Sequence, residues 1–178
     1  MKIPWPDLLT GMRILMVAPI TWALGNDHWG WVFAFYVFIP VTDLLDGHLA
    51  RILSRPTLGP KFDAIADIIF GVALICWVYW KATELRGLLH VYLPILLVTA
   101  LVFFLLSYLK TNEILLLHLW TGKLTGWTGF FWFLLVFYTD SGPWVTHIAM
   151  IVPILFYLES SVFVLKGHTA EDARSAFF

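Results

Sequence analysis

Four aspartates crowd one stretch of this sequence, "DLLDGHLARILSRPTLGPKFDAIAD", which runs from Asp43 to Asp67. Asp43 and Asp46 are three positions apart, and Asp63 and Asp67 are four apart. On a helix either spacing puts both side chains on one face, a turn apart. Between the pairs, "SRPTLGP" holds Pro56, Gly59 and Pro60 and interrupts the helix. Two helices therefore meet at a tight turn, each offering a carboxylate pair. Packed antiparallel, they set the pairs across a cleft from each other.

Four ionised carboxylates in so small a space repel one another, and burying any of them is costly. Arg51 alone is too little to balance them, and Lys61 can snorkel outward. Divalent metal is the direct solution. Hard oxygen ligands suit Mg²⁺ or Mn²⁺, and two such ions can be shared by four aspartates. A two-metal centre suits displacement at phosphorus, where the ions clamp oxygens and neutralise developing charge. The residues between the acids fit the same chemistry. Gly47, Ala50 and Gly59 let a phosphate or nucleotide approach the backbone. Arg51, one turn beyond Asp46 and Gly47, can grip a phosphate with its fork. One or two acids at a helix end would read as interfacial, and Gly or Ala alone as helix packing. Two pairs at helical spacing, with small residues and an arginine interleaved, read as a site.

The elements that position these residues are membrane helices. The chain has 178 residues, 60% hydrophobic and only 13% charged, against about 25% charged in soluble domains. Its net charge of −1 gives a nucleic-acid partner no electrostatic support. The single Cys76 excludes an intrachain disulfide and a thiolate metal site. The start, "MKIPWPDLLTGMR", with two prolines and Arg13, lacks the uninterrupted apolar core of a signal peptide, so the first apolar run is expected to be retained. Six runs are long enough to span: Leu8–Leu24, Trp29–Leu53, Gly59–Lys81, Leu88–Leu109, Thr121–Tyr138 and Trp144–Leu165. No repeat or long linker divides the chain, so the expected fold is a single all-α integral membrane bundle over residues 1–178.

Charge predicts the orientation. With the N-terminus inside, Lys2, Arg13, Arg51, Arg55, Lys61, Lys110, Lys123, Lys166 and Arg174 collect on the inner side, and only Lys81 and Arg86 lie outside. That bias follows the positive-inside rule. Both termini and the aspartate junction then face the cytoplasm, with the chain in a bacterial or archaeal cytoplasmic membrane or an organelle membrane.

Read in full, the stretch is Asp43-x-x-Asp46-Gly47-x-x-Ala50-Arg51, seven residues, then Gly59-x-x-x-Asp63-x-x-x-Asp67. This resembles the complete signature of the CDP-alcohol phosphatidyltransferases, matched at all eight positions. The resemblance implies a helical membrane enzyme, often a homodimer, that transfers a phosphatidyl-type group from a CDP-linked lipid to a small alcohol with release of CMP. Some members instead take a CDP-alcohol as donor. Carried over by position, Asp43, Asp46 and Asp63 hold the metals. Asp67 also lies at the metal centre and is the general base on the acceptor hydroxyl. Asp43, Asp46, Gly47, Ala50, Arg51 and Gly59 frame the CDP diphosphate. The acid count alone does not separate Asp67 from Asp63 in role.

"PDLLTGMR", Pro6 to Arg13, is similar to the Pro-Asn-x-x-Thr-x-x-Arg opening of the phosphatidylglycerophosphate synthase and cardiolipin synthase branch, with Asp7 in place of asparagine. It makes Thr10 and Arg13 candidate contacts for an acceptor or lipid phosphate. The alternative for Arg13 is snorkelling to the inner lipid phosphates. Ala64 and Ile68 depart from the Pro and Lys common in that branch. Between spans four and five, Lys123 and Thr125 are further candidates for such contacts, against a plain positive-inside role for Lys123. Gly122 and Gly126 form a small-x-x-x-small step for close helix packing. His48 sits at a variable position of the motif and is not needed as a base. Glu159 either joins a polar network near the site or is interfacial.

The expected function is metal-dependent transfer from CDP-diacylglycerol, with glycerol-3-phosphate as the favoured acceptor and inositol phosphate or phosphatidylglycerol as alternatives. A membrane prenyltransferase also binds diphosphate through aspartates and Mg²⁺, but lacks the Asp-Gly-x-x-Ala-Arg element. An aspartate-lined cation transporter places acids near the midplane, whereas these gather at one end. A silent scaffold of the family does not need Asp67.

Overall fold

The computed structural model describes residues 5–53, 60–115, 117, 119–139 and 141–167, with the side chains of 5–9, 42–53, 60, 61 and 63 left aside. Six α-helices occupy the six expected spans: α1 (Trp5–Gly25), α2 (Trp29–Leu53), α3 (Pro60–Lys81), α4 (Arg86–Thr111), α5 (Trp120–Tyr138) and α6 (Gly142–Leu165). A single 3-10 turn, Thr83–Leu85, links α3 to α4. No strand occurs among the described residues. Pro19, Pro40, Pro94 and Pro153 lie inside helices without ending them, which membrane helices tolerate. Of the expected boundaries, α2 matches at both ends and α1 begins three residues earlier.

Among the described residues, three helical segments are long and apolar enough on their own to cross a membrane: Ala64–Lys81, Thr83–Thr111 and Gly142–Leu165. The first turns of α5 hold Thr121, Gly122, Lys123, Thr125 and Gly126. Outward-facing apolar side chains are abundant: on α4 alone, Val91, Leu97, Leu101, Leu105 and Leu109 are each more than half exposed. In water such a face would be a large aggregation surface; in acyl chains it carries no such cost. The protein is an all-helical integral membrane protein.

The chain forms two compact units, Met1–Trp77 and Val78–Phe178, divided within α3. In the first, α1 and α2 form an antiparallel hairpin whose turn has Asp27 in the left-handed region (φ 55°) and closes with the His28 N–H donating to the Ala23 carbonyl at 2.9 Å. Helix α3 is tied to α1 at two heights. Arg13 pairs with Asp67, and the Trp77 Nε1–H donates to Thr21 Oγ1 at 2.8 Å. Residue numbers rise together along both helices, so α1 and α3 run parallel. The Tyr36 ring of α2 stacks on Phe70 of α3, with centroids 5.9 Å apart, and Phe70 meets Trp77 edge-on.

In the second unit α6 lies between α4 and α5 and packs against both. Tyr92 with His147, and Phe103 with Tyr157, put α4 parallel to α6. Trp132 Nε1–H donating to Thr146 Oγ1 (2.9 Å), and Thr121 Oγ1–H donating to Glu159, put α5 antiparallel to it. A core of Phe103, Leu115, Leu117, Leu119 and Val164 closes the end of this unit that carries the α4–α5 connection. Three of these five, Leu115, Leu117 and Leu119, come from that connection. Asn112 caps α4 in the left-handed region (φ 55°). Ser107 then holds the connection, donating to the Glu113 carbonyl at 2.9 Å and accepting the buried Leu115 N–H at 2.7 Å.

The two glycines of the small-x-x-x-small step do different things. A Cβ at Gly122 would stand 3.1 Å from the Phe156 ring of α6, whereas Gly126 faces open space. Gly122→Val is therefore expected to lower stability by about 1–3 kcal/mol. Gly126→Ala is expected to leave it unchanged or slightly raised. Thermal unfolding of both variants in one detergent checks the contrast.

Candidate active site

The acids sit where three helix ends gather. From the Tyr36–Phe70 contact, α2 runs toward its C-terminus through Asp43 and Asp46. At 1.5 Å per residue these lie about 10 and 15 Å along the axis. From the same contact, α3 runs back toward its N-terminus through Asp67 and Asp63, about 4.5 and 10 Å along. Both directions lead to the junction of residues 54–59, so all four positions fall on one side of the aromatic contact. Pro40 lies inside α2. The last turns of α2 carry Asp43, Asp46, Gly47, Ala50 and Arg51 as one continuous helix. Asp63 opens α3 one turn before Asp67. Of the side chains at these positions only that of Asp67 is described, and Gly59 lies outside the described residues.

Helix α1 supplies the cation. Arg13 Nη1 donates to Asp67 Oδ1 at 2.5 Å across 54 positions of sequence. The arginine side chain is 4% exposed and the aspartate side chain 63%. The guanidinium is thus withdrawn into the unit while the carboxylate it holds opens outward. A buried guanidinium requires a carboxylate or an equivalent set of acceptors, and on α1 itself none is at hand: the nearest acid on that helix, Asp7, is six positions away. The sequence pointed Arg13 toward a bound phosphate or toward the lipid headgroups, and did not anticipate its bond to Asp67. Thr10, one turn before Arg13, is buried at 6% exposure.

Lys123 and Thr125 belong to the second unit. Lys123 is exposed in the first turn of α5. The Thr125 hydroxyl donates to the Thr121 carbonyl at 2.9 Å. Glu159 of α6 accepts from Thr121 Oγ1, so the polar network expected of Glu159 is a link between α5 and α6.

Among the described side chains no three of His, Cys, Asp and Glu stand close enough together to hold a metal ion. The donors offered by the motif are all carboxylate oxygens on the ends of two joined helices. That set fits a hard divalent ion such as Mg²⁺ or Mn²⁺ and not a soft one. Chemically, such an arrangement can bind a diphosphate and place a carboxylate beside an incoming hydroxyl.

The ion pair can be measured without any ligand. Arg13→Met and Asp67→Asn are each expected to lower thermal stability, because each removes a charge-assisted bond between α1 and α3. Together they are expected to cost less than the sum, with a coupling of about 0.5–3 kcal/mol in a double-mutant cycle.

No curated protein and no solved structure matches the chain. The family model for CDP-alcohol phosphatidyltransferase matches residues 4–158, a span that contains α1 to α5, most of α6 and every position of the aspartate motif. With that match added to the helical membrane fold and the motif at the α2–α3 junction, the chain belongs to the CDP-alcohol phosphatidyltransferase family and is a phosphotransferase acting on a CDP-linked substrate.

Proposed function

We propose that this enzyme transfers the phosphatidyl group of CDP-diacylglycerol to glycerol-3-phosphate, giving phosphatidylglycerophosphate and CMP, at the inner face of its membrane. The observation that carries this reading is the eight-position motif, seven positions of which lie on the joined ends of α2 and α3. The family match supports the donor and the reaction class. The acceptor rests on the opening segment, Pro6 to Arg13, which resembles the branch that makes phosphatidylglycerophosphate and cardiolipin, and on the basic residues of the inner rim.

In this reading Asp43, Asp46 and Asp63 would hold two Mg²⁺ or Mn²⁺ ions, with Asp67 a further carboxylate of the same set. Such ions, when bound, neutralise the diphosphate and polarise the phosphorus under attack. Gly47, Ala50 and Gly59 admit the CDP backbone closely, and Arg51 grips a phosphate with its fork. Asp67 accepts the proton of the acceptor hydroxyl as that oxygen bonds to the lipid-side phosphorus. The bond from that phosphorus to the bridging oxygen breaks, and CMP leaves with the bridging oxygen. Thr10 and Arg13 are candidate contacts for an acceptor or lipid phosphate, and so, in the second unit, are Lys123 and Thr125. Holding both reactants in line supplies much of the rate.

The test is CMP release by the purified enzyme in liposomes containing CDP-diacylglycerol, with Mg²⁺ or Mn²⁺. Glycerol-3-phosphate, inositol phosphate, inositol, serine and phosphatidylglycerol are offered separately. Release is expected with glycerol-3-phosphate, to stop with a chelator and to return with added metal. Asp67→Asn is expected to lower the rate on the order of 100-fold or more. Release with inositol phosphate alone would move the enzyme to another acceptor. Release with no acceptor, but turnover of a CDP-alcohol, would reverse the roles of donor and acceptor.

A further inference from the structure

The turn that joins α3 to α4 gathers a second set of polar groups, none of them part of the aspartate motif. Arg86 opens α4 and reaches back to the end of α3. Its Nε–H donates to the Tyr79 carbonyl at 2.9 Å, and its Nη2–H donates to the Trp80 carbonyl at 3.2 Å. Its guanidinium carbon stands 5.3 Å from the centre of the Tyr79 ring. The Tyr79 hydroxyl shares a hydrogen bond of 2.9 Å with His90 Nε2, one turn along α4 from Arg86. Beside them the Lys81 ammonium lies 5.1 Å from the centre of the Trp80 ring. We propose that this cluster binds the headgroup of an anionic phospholipid, with Arg86 and His90 holding its phosphate and the face of α4 beyond them carrying its acyl chains. All of these residues belong to the second unit, so the proposal does not rest on the acceptor or on the metals.

Three observations carry the inference. The first is how the arginine is held. Two bonds to the end of α3 and the Tyr79 ring fix the plane of its guanidinium. Among the described residues Nη1 makes no hydrogen bond, and no acid, Glu84 of the turn included, forms an ion pair with Arg86. A guanidinium with a fixed plane and an open edge suits a phosphate, which accepts parallel N–H bonds from such a fork. The second is depth. The apolar spans Ala64–Lys81 and Thr83–Thr111 meet at this turn, which puts it where hydrocarbon gives way to headgroups. Trp80 is exposed there, and Trp and Tyr favour that layer. Lys81 and Arg86 outnumber Glu84 in the turn, which favours a headgroup of net negative charge. The third is the course of the helix face. Arg86, His90, Pro94, Leu97 and Leu101 follow one another at helical spacing. His90 and Pro94 are exposed, and Leu97 and Leu101 are each more than half exposed. The face therefore reads cation, histidine and then hydrocarbon, the order of a phospholipid from phosphate to chain. A free phosphate would use only the first part of it.

Lipid binding would be measured by native mass spectrometry of the full chain in one detergent, with phosphatidylglycerol, phosphatidylcholine and inorganic phosphate as probes. The wild type, Arg86→Gln, Arg86→Lys and His90→Leu would be compared, and their thermal unfolding read with and without lipid. Lipid bound elsewhere on the protein is the same in all four forms, so the difference between forms reports this site. The wild type is expected to bind phosphatidylglycerol more tightly than phosphatidylcholine and to keep it in the presence of inorganic phosphate. Arg86→Gln is expected to weaken phosphatidylglycerol on the order of 10-fold, and His90→Leu about threefold. Arg86→Lys should fall between the wild type and Arg86→Gln, because an ammonium keeps the charge and loses the fork. His90→Leu leaves the bonds from Arg86 to α3 in place and carries the test by itself if Arg86→Gln does not fold. Wild-type affinity for phosphatidylglycerol in either variant overturns the proposal. So does a variant that is less stable without lipid but gains as much stability as the wild type from phosphatidylglycerol, which would leave Arg86 a cap for α3. Equal affinity for the two lipids also overturns it, as does displacement of phosphatidylglycerol by inorganic phosphate, which would make the cluster a site for a free anion.

Discussion

A permanently charged guanidinium withdrawn from solvent has to find an anion, and in this protein that requirement ties the first helix to the third. Arg13 lies nine-tenths or more inside its unit, on a helix with no acid within a turn of it. A partner must come from elsewhere in the chain, and Asp67, on α3, is one. Once that bond forms, α1 and α3 run parallel with their N-terminal halves at the same end. The α1–α2 hairpin returns the C-terminal end of α2 to that end as well. The helix ends that carry Asp43, Asp46 and Asp63 thereby lie toward the arginine's end of the unit. Aromatic packing of Tyr36, Phe70 and Trp77 fills the space behind it. A charge that is expensive to bury becomes affordable only because a site that needs a carboxylate lies next to it.

Much of the fold was legible because its signals are local. Apolar runs of spanning length, broken by Gly, Pro and Asn clusters, located all six helices to within a few residues. The aspartate pairs were legible for the same reason, since a spacing of three or four fixes a shared face whatever surrounds it. The residues of the motif that lie in α2 and α3 are in helices, as their spacing required. What the sequence left open was the pairing across 54 positions. One signal was present. Arg13 lies eight residues after the start of α1, and Asp67 lies seven after the start of α3. Parallel helices that begin at the same end bring those depths level. Reading that match requires knowing that the two helices are neighbours, which hydropathy does not supply.

The second unit shows the same division between local and distant information. The glycines of α5 were read as a packing step, and Gly122 does pack, against Phe156 of α6, while Gly126 has no close neighbour. Spacing gives the face, and only the partner helix decides which glycine is needed. The α4–α5 connection was less legible. Leu115, Leu117 and Leu119 of this stretch are buried, and Ser107 bonds the backbone at Glu113 and Leu115. No pattern in the connection itself announces a serine several residues upstream as its clamp.

The outward face of α4 has a further consequence. From Val91 to Leu109, both strongly exposed, the helix rises about 27 Å, close to the hydrocarbon thickness of about 30 Å in an ordinary bilayer. Beyond those residues the chain turns polar at once, with Arg86 and His90 on one side and Lys110 and Thr111 on the other. The enzyme thus carries its own gauge of membrane depth. In a bilayer much thicker or thinner than this, α4 must lean or the lipid must deform around it. Lipids whose chain length matches the gauge will gather at this surface, so the composition of the surrounding membrane becomes a determinant of how the protein sits in it.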